Sequence, residues 1–87
     1  MRFTVTTLCG GKAQMAASRE YMDLDMEKAR EVMSSMGPIK SFDEMMMVSE
    51  WNGMEVTLYP QGKVMFHPLT EKDKAVQYAT EILERIR

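Results

Sequence analysis

Eighty-seven residues, 45% of them apolar and 28% charged, are too few for a second hydrophobic core and too apolar for a disordered chain. A formal charge of −2 argues against a general affinity for nucleic acid, which rests on a surplus of lysine and arginine. The single cysteine allows no internal disulfide and supplies at most one metal ligand, so neither disulfide chemistry nor a structural zinc site is expected.

Met1-Arg2-Phe3 leads directly into an alternating run rather than a signal peptide's apolar block. No apolar run nears the roughly 20 residues of a membrane span, so a cytoplasmic protein without a membrane partner is expected. Phe3 to Leu8, FTVTTL, is β-branched and reads as the first strand. Cys9 to Tyr21 holds Gly10-Gly11 and then small and polar residues without a firm period, which reads as a long loop. Asp23 or Asp25 can cap the helix that follows. Met22, Met26, Ala29, Met33 and Met36 recur at helical spacing, and Gly37-Pro38 stops them.

Phe42 to Ser49 reads as a strand with Met45 and Met47 facing the core and Met46 and Val48 pointing the other way. Trp51-Asn52-Gly53 is a turn signal, Asn-Gly being the usual pair in a tight hairpin. Met54 to Leu69 then forms a hairpin reversed at Pro60-Gln61-Gly62. There Val56, Leu58, Val64 and Phe66 alternate with Glu55, Thr57, Lys63 and Met65. Thr70 is placed to cap the last helix, with Asp73 at its third position. Ala75, Val76, Ala79, Ile82, Leu83 and Ile86 form its apolar stripe, while Glu81 and Arg85 pair on the outside. The predicted architecture is α+β: one domain over residues 1–87, with an antiparallel sheet of four to five strands and two helices packed on one face.

That order of elements resembles one repeat of the TATA-box-binding protein fold. The text behind the resemblance is Asp23-Leu24-Asp25, Lys40-Ser41-Phe42, Met45-Met46-Met47 and the hairpin from Leu58 to Val64. The resemblance implies that Phe42 and Tyr59 match the two aromatic wedges of a repeat, which kink DNA from the minor groove. By the same match Thr57, Met65 and His67 lie on the concave sheet face, and Lys40 and Lys63 lie near the nucleic-acid backbone. This chain carries one repeat where the family has two, so groove binding would need a homodimer. Glu44 and Glu55 are expected on the same face, where phosphate would repel them, and Tyr59 brings a hydroxyl to an apolar wedge position.

Methionine is unusually frequent at 11 residues, most of them on faces assigned to the core, where its flexible side chain fills gaps. His67 is the only histidine and has no second ligand or base to work with. Cys9-Gly10-Gly11-Lys12 lacks the upstream glycine of a phosphate loop and has Ala13 where a magnesium-holding hydroxyl would stand. No nucleophile, base and orienting group can be assembled, so neither an enzyme nor a cofactor is expected, although small-ligand regulatory domains share this arrangement. The leading expectation is a binding module whose open sheet face carries Met46, Val48, Thr57, Tyr59, Met65 and His67 and meets another copy or a different protein. The alternative is the minor groove of DNA, held by a dimer through Phe42, Tyr59, Lys40 and Lys63.

Overall fold

The computed structural model describes residues 2–87; Met1, read above with the head of the first strand, lies outside them. The elements are β1 (Phe3–Leu8), β2 (Ala13–Ser18), α1 (Met26–Met36), β3 (Ile39–Phe42), β4 (Met47–Trp51), β5 (Met54–Tyr59), β6 (Lys63–His67) and α2 (Lys72–Ile86). They build a six-stranded antiparallel sheet in the order β1-β2-β6-β5-β4-β3, with both helices against one face. The α+β class is as expected, and the strand count exceeds the expected four to five.

Local chemistry accounts for the hairpins. Asn52 and Gly53 both take left-handed φ values, 55° and 77°, which suits the twist of the paired β4 and β5. Between β5 and β6 the Gly62 amide donates to the Tyr59 carbonyl at 3.1 Å and closes the Pro60-Gln61-Gly62 reversal. Leu58 and Val64 face each other across that hairpin, as do Val56 and Phe66, and all four are buried.

The additional strand is β2, inside the stretch read as a loop. Cys9, Gly10 and Gly11 all adopt positive φ, which turns the chain back tightly enough for β2 to pair with β1. β2 reads Ala-Gln-Met-Ala-Ala-Ser, with no β-branched or aromatic residue. It is a strand because β1 pairs with it on one side and β6 on the other. Gln14 is buried under α2's entry, where its amide accepts from Thr7 Oγ1 at 2.9 Å and donates to the Thr70 carbonyl at 3.3 Å.

The segment read as one strand from Phe42 to Ser49 is in fact two, β3 and β4, divided by a turn. Asp43 Oδ1 accepts hydrogen bonds from the Met45 and Met46 amides at 2.7 and 2.9 Å, and the Asp43 amide donates to the Met46 carbonyl. Met45 therefore sits in the turn, 65% exposed, rather than in the core, whereas Met47 is fully buried as expected.

α1 begins at Asp25, whose carboxylate accepts from the Glu27 and Lys28 amides, and buries Met26, Ala29 and Met33. α2 begins after Glu71 with no side-chain cap, so Thr70 is not the expected cap; Asp73 does lie in its first turn. Ala75, Ala79, Ile82, Leu83 and Ile86 are buried along one side, and Arg85 reaches Glu81 at 3.2 Å on the other. One cluster joins both helices to the sheet, with Met33, Met47, Leu58 and Phe66 near its centre. Tyr78 of α2 meets Phe66 and Trp51 edge-on, with ring centroids 5.8 and 5.1 Å away.

Ser49 Oγ is buried in this layer without a hydrogen-bond partner. Removing it should relieve an uncompensated desolvation, so Ser49→Ala is expected to leave stability unchanged or raise it by about 1 kcal/mol. A urea midpoint lower than wild type would contradict this.

Candidate binding face

Antiparallel partners point to the same side of a sheet, so the register sorts the side chains directly. Opposite the helices, the middle row across the strands runs Thr6, Met15, Met65, Thr57, Val48 and Ser41. One flanking row carries Thr4, Ala17, Lys63 and Tyr59, and the other carries Leu8, His67, Glu55 and Glu50. Both helices lie in the cluster on the other side, so the exposure of this face is set by its own side chains. Met65 and Val48 are half-buried, and Thr57 between them is only 3% exposed. The centre of the face is thus a closed row in which Met15, Met65 and Val48 stand among the hydroxyls of Thr6, Thr57 and Ser41, with Lys63, His67, Glu55 and Glu50 exposed around it.

Of the expected face residues, Val48, Thr57, Tyr59, Lys63, Met65 and His67 are gathered there. Met46 lies in the Asp43 turn just beyond β4, half-buried at the Tyr59 end. Phe42, expected on this face, is not there. It pairs with Met47, whose side chain is in the core, so it faces the helices; Arg30 of α1 stacks over its ring at 4.7 Å. The turn at Asp43 is the physical reason: it fixes the register that sends Phe42 to the covered side, and Asp43-Glu44 was the signal for it. Phe42 and Tyr59 therefore lie on opposite sides of the sheet and do not form a pair of wedges. Met15 and Ala17 join the face through β2, whose composition is that of a loop; the glycine pair after a β-branched run is the one local sign of its turn.

Lys40 Nζ lies 3.1 Å from Glu55 and 3.6 Å from Glu50, which are themselves cross-strand neighbours. The ammonium bridges two like charges that would otherwise repel, and the hydrogen bond and charge of Glu55, with a lesser part from Glu50, hold its pKa above the ordinary lysine value. Lys40 is thus engaged by carboxylates rather than free for phosphate. Glu44, expected on the face, is exposed in the Asp43 turn.

Where α1 ends, a pocket of about 550 Å³ lies between Gly37-Pro38, the Asn52-Gly53 turn and His67-Pro68, with Trp51 and Met54 in its wall. Glu50, Glu55 and His67 reach it from the open face, and no Ser, Thr, Cys or Lys lines it. Among the described residues no group of three or more His, Cys, Asp or Glu side chains is placed to hold a metal ion, and no helix is long and apolar enough to cross a membrane.

No protein-family model, no curated protein and no solved structure matches this chain.

Proposed function

We propose that the chain is a non-enzymatic protein-binding module whose open sheet face receives a partner protein with an apolar centre and charged flanks. The middle row carries this reading. Met15 and Met65 are neighbours and Val48 stands beyond a buried Thr57, with no helix over them, the composition of an interface centre bordered by polar residues. The cations near it are few, and Lys40 is matched by Glu55 and Glu50. A surface for phosphate calls for the opposite balance.

The resemblance to a TATA-box-binding protein repeat belongs to this proposal as well. The run from β2 through α1, β3 to β6 and α2 follows its order of strand, helix, strands and helix, with β1 added at the edge. The groove-binding use keeps Tyr59 and Lys63 but loses Phe42 to the helix side.

The test is a photo-crosslinking residue at position 65, compared in the protein's own cells with the same residue at position 84 on exposed α2. Protein adducts are expected from position 65 in excess of position 84. Equal yields would overturn the reading, and adducts to nucleic acid from position 65 would replace it with the groove-binding alternative.

A further inference from the structure

Resting on the reading of this face as a protein-docking surface, we propose that its occupant is a second copy of the chain, turned about a two-fold axis that runs along the middle row and across the strands. The distribution of charge supports the choice. On one flank stand Lys63 near the centre and Arg19, whose Nε donates to Thr4 Oγ1 at 3.2 Å, with Asp43 and Glu44 in the turn at its β3–β4 end. On the other stand Glu55 and Glu50, which share Lys40 at 3.1 and 3.6 Å, with Lys12 at the β1–β2 end of the same flank. Rotation about the middle row lays one flank on the other, so Lys63 meets the partner's His67 and the partner's Glu55, and symmetry forms the reciprocal pair.

The same rotation lays Met65 and Val48 on their own copies and closes the middle row on itself. At the β3–β4 edge Lys40 approaches the partner's Asp43 and the partner's Glu44. At the β1–β2 edge Lys12 approaches the partner's Arg19, a like-charged meeting on the exposed rim, where charge pairs contribute little. An axis along the strands instead sets Lys63 over the partner's Tyr59 and gives Glu55 no new cation. The molecule measures 31 × 27 × 19 Å, and a face of the two longer dimensions is large enough for the roughly 800 Å² per partner that stable interfaces bury. Stacked sheets keep their strand directions within about 30°, a geometry compatible with this axis.

Sedimentation velocity on the full chain separates the possibilities, using wild type, Lys63→Glu, Glu55→Lys and an equimolar mixture of the two variants. Wild type is expected to sediment as a dimer at about 100 µM. In each variant alone like charges meet twice, and dimerisation weakens by about tenfold or more. In the mixture every such meeting is again between opposite charges, and the dimer returns. Circular dichroism verifies that each variant is folded.

A monomeric wild type, single variants that dimerise like wild type, or a mixture no tighter than its components would each overturn the proposal. Monomeric wild type together with adducts from position 65 to an unrelated protein removes self-pairing but leaves the docking reading standing. A monomer with no adducts removes both.

Discussion

Phe66→Ala should cost about 4 kcal/mol and lower the melting temperature by roughly 20 °C, enough to leave much of the population unfolded near room temperature. Phe66 is fully buried at the middle of the sheet, between Gln14 of β2 and Val56 of β5, with Tyr78 of α2 against its ring. Truncation opens a cavity bordered by both a sheet and a helix, and neither can collapse into it without giving up its own pairing. Urea unfolding followed by far-ultraviolet circular dichroism measures the loss, with Phe66→Leu expected to fall in between. A cost below about 1 kcal/mol would show that this core can repack and would remove Phe66 from its centre.

Gly37→Ala is expected to be nearly as damaging, at about 3 kcal/mol, for a different reason. Gly37 is extended, with φ at 176°, so its backbone angles suit any residue. Space is what excludes a side chain there: an added Cβ would overlap the backbone carbonyl of Glu50. The strands touch at this point because the Glu50 amide donates to the Pro38 carbonyl at 2.9 Å, and a side chain would push that bond apart. Gly53→Ala makes the contrast. Gly53 has φ at 77° but open space around it, so its substitution should cost only about 1 kcal/mol of backbone strain. Thermal melts of the two variants should therefore rank Gly37→Ala well below Gly53→Ala; equal losses would mean that crowding at Gly37 is not the governing effect.

The central hairpin and both helices were legible because their signals are local. Alternation over Val56, Leu58, Val64 and Phe66 and the three- and four-residue spacing of Ala75, Ala79, Ile82, Leu83 and Ile86 each name a buried face without reference to the rest of the chain. β2 was not legible, because its pairing with β6 joins residues about fifty positions apart and its alanines carry no strand preference. The same limit shapes the candidate face. Thr57, Tyr59, Lys63, Met65 and His67 follow from the hairpin's period, whereas Met15 depends on β2 and Phe42 on the Asp43 turn that pairs it with Met47. A single side-chain carboxylate accepting two amides was enough to move an aromatic ring from one side of the sheet to the other.

The strand order has a consequence for how the protein is made. β6, the last of the six strands in chain order, fills the gap between β2 and β5, so the β1–β2 ribbon is made before the strand that pairs with its inner side. α2, which follows, then seals the grease beneath. Until both arrive the nascent polypeptide exposes a half-built layer with two raw borders, those of β2 and β5, the kind of unpaired edge through which neighbouring polypeptides clump strand to strand.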